Sequence, residues 1–189
     1  MKQFSKHQVF RALGLFALMA ATRMHHYGTS LHLPDASLAV FLLAGVLIAS
    51  PLFFGALLLG AGAFDYVAIS HFGVSDFCVT WAYWFLIPTY AVLWYTGRFY
   101  ARIHQYSLRS LGIFAGMSFA ATSVAFAISN GSFYLFSGRF PAMSVAEYAH
   151  RVAQYYVPYV SSAAVYLVPA ALLYALFAYR ANMQHPAAQ

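Results

Sequence analysis

Apolar residues in this chain come in long uninterrupted runs separated by short polar connections. Crossing a hydrocarbon core of about 30 Å takes roughly 20 apolar residues as a helix. On that measure the pattern predicts six spans: about Gln8 to Met24, Ala36 to Ala49, Pro51 to Ser70, Val79 to Phe99, Ser107 to Ser129 and Pro158 to Arg180. Pro51 suits the first turn of a helix. The second span is the shortest, and the segment from Ser144 to Val157 is expected to form a further, half-buried helix ahead of the last one.

Composition leads to the same class. Of 189 residues, 62% are hydrophobic and 7% charged, and the mean hydropathy is +0.67. Soluble domains average about 45–50% apolar and about 25% charged residues, so a soluble globular protein is excluded. The expectation is one all-α integral membrane domain over residues 1–189. The net charge of +6 is explained by topology rather than by nucleic acid, because the basic residues are scattered among apolar runs. With both termini cytoplasmic, Lys2, Lys6, Arg11, Arg98, Arg102, Arg109 and Arg180 fall inside, and Arg23, Arg139 and Arg151 fall outside. Asp35, Asp65, Asp76 and Glu147 then all lie at or near the outer ends, where the polar chemistry collects. The lysines before Leu13–Ala21 resemble a secretory signal, but Arg11 and the lack of a clean A-x-A site favour a retained helix.

Several chemistries are excluded. The single cysteine, Cys78, rules out an intrachain disulfide, a CxxC pair and an all-thiolate zinc or iron–sulfur site. Both lysines precede the first apolar run, so there is no GxxxxGK[ST] phosphate loop, and neither HExxH nor GxSxG occurs. Cys78 itself lies in the outer connection His71-Phe-Gly-Val-Ser-Asp-Phe-Cys78. It is either an inert small hydrophobe or, with Asp76 and Tyr83 close in sequence, a soft ligand for a soft or borderline metal. Asp65, between Phe64 and Tyr66, is costly at membrane depth, so it either faces a cavity or pairs with an arginine such as Arg151. His25 and His26 point about 100° apart on a helix and cannot share one metal from regular geometry. They serve as interfacial anchors or as donors into the outer cavity. Glu147 and Arg151 are spaced to pair along a helix, while the tyrosines at 148, 155, 156 and 159 suit a ligand with an apolar ring and amide edges. Two rows of small residues permit close helix approach: Gly112, Gly116 and Ala120, expected to pack within the bundle, and Ala17 and Ala21, expected to serve internal packing or partner docking.

Taken together, the six spans and outer polar mouth resemble the substrate-binding S-components of energy-coupling factor (ECF) vitamin transporters. Within that superfamily the chain most resembles the BtuM group of solitary cobalamin transporters. The resemblance rests on Asp65, on Cys78 in Ser-Asp-Phe-Cys and on Tyr83 in Thr-Trp-Ala-Tyr, framed by His26 and Arg151. It implies uptake of cobalamin (vitamin B12) across a bacterial inner membrane. Cys78 would be the axial cobalt ligand and the centre of any removal of the upper axial group (decyanation). Asp65 and Tyr83 would surround the thiol, and His26 and Arg151 would hold the corrin periphery. Ala17 and Ala21 match the alanine motif by which S-components dock a coupling module, although solitary members lack a dedicated one. Two other readings stay open: an S-component for a different vitamin, and a haem- or quinone-binding redox protein using His25, His26 or His150.

Overall fold

The computed structural model of the chain describes residues 5–23 and 33–184, with residues 177–184 by backbone alone. All regular structure among the described residues is helical: α1 (Lys6–Arg23), α2 (Ser37–Leu47), α3 (Pro51–Phe72), a 3₁₀ turn (Trp81–Phe85) leading into α4 (Leu86–Ile103), α5 (Leu108–Phe136), α6 (Val145–Ala153) and α7 (Tyr156–Gln184). The helices follow the predicted runs closely. The largest differences are α5, which continues to Phe136 rather than ending near Ser129, and the fourth run, which is α-helical only from Leu86 and ends at Ile103 rather than Phe99.

Local chemistry accounts for the boundaries. Ser50 caps α3 by accepting from the Phe53 N–H, Pro51 takes the first turn, and Gly73 closes the helix at φ +69°, a left-handed conformation that other residues adopt reluctantly. Ser107 caps α5 in the same way. Ser144 and Glu147 form a reciprocal capping box at the start of α6. Glu147 therefore serves the helix end instead of pairing with Arg151. Its bonds from Ser144 hold its carboxyl below the usual carboxylate range.

Three helices, Pro51–Phe72, Leu108–Phe136 and the Tyr156–Leu176 part of α7, are long and apolar enough to cross a membrane. Their outer faces carry exposed leucines such as Leu52, Leu59 and Leu108. That greasy exterior marks a membrane protein.

The short α2 is the centre of the structure. Its residues from Ser37 to Leu42 are all buried, and it packs against α1, α3, α4 and α7. A helix apolar all round belongs inside a bundle, which is why its run is short. Phe41 stacks on Tyr90 of α4 with ring centroids 4.1 Å apart, and Phe54 of α3 closes the cluster against Phe41 and Trp94. The tightest seam is the α2–α4 crossing. A Cβ on Gly45 would come within 2.1 Å of the Trp94 carbonyl oxygen, and one on Gly97 within 2.1 Å of the Leu42 carbonyl oxygen. Backbone meets backbone there, as small residues allow in membrane bundles. The row expected to do this, Gly112, Gly116 and Ala120, instead lies on an exposed face of α5, and added Cβ atoms at both glycines would meet open space. Packing within the bundle is thus corrected for that row. Ala17 and Ala21 are likewise exposed on α1.

Charge is segregated by end. Arg23 closes α1 beside Asp35 and Asp65, Asp76 lies in the connection after α3, and Glu147 caps α6, so all four carboxylates share one end. Lys6 and Arg11 begin α1, Arg98 and Arg102 end α4 and Arg109 begins α5, at the opposite end.

These contacts predict a sharp contrast. Gly45→Ala or Gly97→Ala forces two backbones apart and should cost about 3 kcal/mol or more, the upper range for overpacking. Gly112→Ala, on open helix surface, should be neutral or stabilise by up to about 1 kcal/mol. Thermal unfolding of the three variants in detergent checks this; equal losses at positions 45 and 112 would contradict the seam.

Candidate functional site

The carboxylate-bearing end is organised by one arginine. The Arg23 side chain is 9% exposed and grips Asp65 through two parallel bonds, Nε to Oδ1 at 2.7 Å and Nη2 to Oδ2 at 2.7 Å. This fork geometry is the strong form of an arginine–carboxylate pair. Its Nη1 donates to Ser37 Oγ and Tyr90 Oη, each at 2.9 Å, and to Asp35 Oδ2 at 3.3 Å. Tyr83 adds a donor on the other side of Asp65, its hydroxyl 2.6 Å from Oδ2. The network joins the end of α1, the start of α2, α3, the 3₁₀ turn and α4.

This arrangement resolves the alternatives at Asp65. Its arginine partner is Arg23, not Arg151, and it also lines a cavity of about 290 Å³ whose wall includes Gly62, Tyr66, Asp76, Val79 and Tyr83. Asp65 and Tyr83, 18 residues apart in sequence, are brought into direct contact. Nothing in the hydrophobic pattern singled out Arg23. The available signal was its place, since among the arginines of the carboxylate-bearing end it is the one that closes a long apolar run.

Cys78 lies in the turn between α3 and the 3₁₀ turn and is exposed, between Asp76 and Val79 on the cavity wall. The loop still shields its sulfur in part. That burial raises the thiol's pKa above its ordinary value; the charge of Asp65 pushes the same way and Arg139 opposes it. The loop is seated through Phe77, whose ring packs 5.7 Å from Phe133 of α5 and carries the Arg139 guanidinium 4.7 Å over its face. From Phe133 the ring contacts continue to Phe140 and Tyr148 of α6. Arg151 stands 5.8 Å over Phe140, so it reaches the Cys78 loop only through this run of aromatic rings. His26 and His25 lie outside the described residues. His150 is exposed on α6. Among the described residues, no three His, Cys, Asp or Glu side chains gather to hold a metal ion. Chemically, the end offers one soft sulfur, a pinned carboxylate, a tyrosine hydroxyl and two cations on an aromatic rim.

Arg23 is the test of the network. Arg23→Ala leaves Asp65 with no cation in a largely buried site and should cost roughly 3 kcal/mol, the lower end for a broken buried pair because Asp65 keeps 24% of its side chain exposed. Arg23→Lys should recover only part of the loss, since an ammonium cannot make the two-toothed contact. Full recovery by lysine in thermal unfolding would contradict the fork's role.

The thiol gives a pH prediction. Alkylation of Cys78 by a water-soluble maleimide should show a midpoint above that of a free thiol. Asp65→Asn removes a negative charge and should lower that midpoint, and Arg139→Gln removes a positive one and should raise it. Shifts of opposite sign to these would contradict the electrostatic assignment.

Comparison of the chain with protein-family models and with curated proteins returns no match.

Proposed function

We propose that this chain is a six-span protein of a bacterial inner membrane, with both termini cytoplasmic, that binds and takes up cobalamin with Cys78 as the axial cobalt ligand. The observation that supports the reading is an exposed sulfur on the same loop as the cavity residues Asp76 and Val79, within electrostatic reach of both Asp65 and Arg139. Cobalamin has a broad apolar ring, an amide-fringed edge and a phosphodiester, and it asks for aromatic walls, hydrogen-bonding groups and a cation. Its corrin brings four equatorial nitrogens of its own, so one protein ligand suffices where a protein-held zinc would require three or four. The resemblance to the BtuM group supports the same assignment, and the gathering of cations at the end away from Cys78 supports the orientation.

In this reading the incoming cobalamin exchanges its own lower base for the Cys78 thiol. A raised thiol pKa keeps the sulfur protonated and protected until cobalt arrives, and coordination then removes the proton. Asp65, gripped by Arg23, and Tyr83 position the wall beside the thiol. Arg139 and Arg151 would meet the ring's periphery and phosphodiester, a role that the resemblance also gives to His26. Electron donation by sulfur weakens the bond on the opposite face of cobalt, so a cyanide there leaves with its electron pair and cobalt remains in the trivalent state. The exposed Ala17–Ala21 face of α1 is available to a coupling module of the ECF type; uptake without one leaves that face to lipid.

The experiment is the visible spectrum of protein purified with cyanocobalamin. The parent should bind the vitamin with a shifted spectrum that changes further as cyanide is lost. Cys78→Ser and Cys78→Ala should lose the shift and weaken binding at least tenfold, because a hydroxyl or methyl group cannot replace a soft thiolate. Unchanged spectra and affinity in both variants would remove Cys78 from the cobalt. A parent that binds no cobalamin would remove the function.

A further inference from the structure

At the end opposite Cys78 a long apolar groove runs between α5 and α7. Three adjoining cavities of about 290, 200 and 310 Å³ line this groove: all three have Leu111 and Ala171 in their walls, and the second and third also share His104 and Tyr174. From Leu108 to Thr122 it follows about four turns of α5, roughly 21 Å at a rise of ~1.5 Å per residue. That exceeds the ~15 Å depth of one leaflet's hydrocarbon. The deep part is walled almost entirely by apolar side chains and the row of small residues Ala163, Ala164 and Ala171.

The mouth is different. His104 is held rigid, with Nδ1 2.8 Å from the Tyr100 hydroxyl and Nε2 2.7 Å from the Tyr174 hydroxyl, which fastens α7 to the α4–α5 connection. Gln105, Tyr106 and Ser107 of that connection line the opening, and Tyr106 is 77% exposed. Arg102 and Arg109 flank the same connection in sequence, both exposed. Neither makes an ion pair among the described residues, where the salt bridges are those of Arg23. All four carboxylates of the chain are at the other end.

We propose that this groove is a binding site for one anionic glycerophospholipid of the surrounding bilayer, an acyl chain lying between α5 and α7 and the phosphate at the 104–107 connection between Arg102 and Arg109. Charge selects the occupant. Unbalanced cations beside neutral hydrogen-bond donors at a headgroup depth call for an anion, and juxtamembrane arginines attract acidic lipids. A second copy of the chain in the same orientation brings the same cations to the same level and is repelled. By filling the groove, the lipid chain completes the apolar contact between α5 and α7, a helix that carries Pro169 in its interior. The site is independent of cobalamin.

The test uses the full chain reconstituted in vesicles of equal parts phosphatidylcholine and phosphatidylglycerol, followed by native mass spectrometry of the lipid that remains bound. The parent should retain one phosphatidylglycerol at least fivefold over phosphatidylcholine. Arg102→Gln combined with Arg109→Gln should abolish that preference, and Ala171→Trp, which blocks the groove where the three cavities meet, should abolish retention. Equal retention of both lipids by the parent overturns the proposal. So does a preference that survives Ala171→Trp, which would mean surface attraction without a groove, or one that survives loss of both arginines. Should Ala171→Trp not fold, the parent's preference and the double arginine variant decide the matter, because both arginines are exposed and carry no packing.

Discussion

A guanidinium placed inside an apolar bundle must be met by acceptors on every side, and that demand shapes the end of the molecule where Cys78 lies. Arg23 is nearly buried. The cost of removing a charge from water is recovered only when geometry is good and the remaining protons are satisfied. Here the bidentate grip on Asp65 is completed by Ser37, Tyr90 and Asp35. The acceptors come from three separate stretches of chain, Asp35 and Ser37 at the start of α2, Asp65 in α3 and Tyr90 in α4, so satisfying one side chain sets the relative positions of α1, α2, α3 and α4. Tyr83 then attaches the 3₁₀ turn, and with it the Cys78 loop, to the same carboxylate.

The opposite end is governed by a different constraint. The Gly45–Gly97 seam brings α2 and α4 into backbone contact, which leaves α5 and α7 to close the bundle with far less interpenetration. Their junction is apolar and grooved, held by the Ser123–Tyr156 hydrogen bond and the packing of Phe126 on Tyr156 and Tyr159, with the His104–Tyr174 bond tying α7 to the α4–α5 connection. One face of the molecule is therefore pinned by polar bonds and the other is open to the bilayer.

Hydrophobic runs announced where helices would form, since apolar length is what a bilayer selects, and the helix limits differ from the runs mainly at α4 and α5. Pattern does not report which helices cross. The glycines at 112 and 116 have a more regular spacing than those at 45 and 97, yet the latter pair carries the closest approach, because α2 is enclosed and α5 is not. The site was legible in part. Asp65, Cys78 and Tyr83 stand together at one end, as their depth in the spans implied. Arg23 was missed as Asp65's partner because long-range pairing between helix ends leaves no mark on local sequence. Arg151 was read as Asp65's alternative partner, and its place over Phe140 depends on an aromatic run assembled from α5, the 137–143 connection and α6.

The central claim is a bond between the sulfur of Cys78 and cobalt, and X-ray absorption at the cobalt edge of the purified cobalamin complex addresses it most directly. The account predicts one sulfur in the first coordination sphere of the parent complex and only nitrogen, oxygen or carbon in the complex of Cys78→Ser. A parent complex whose cobalt has no sulfur neighbour would contradict it.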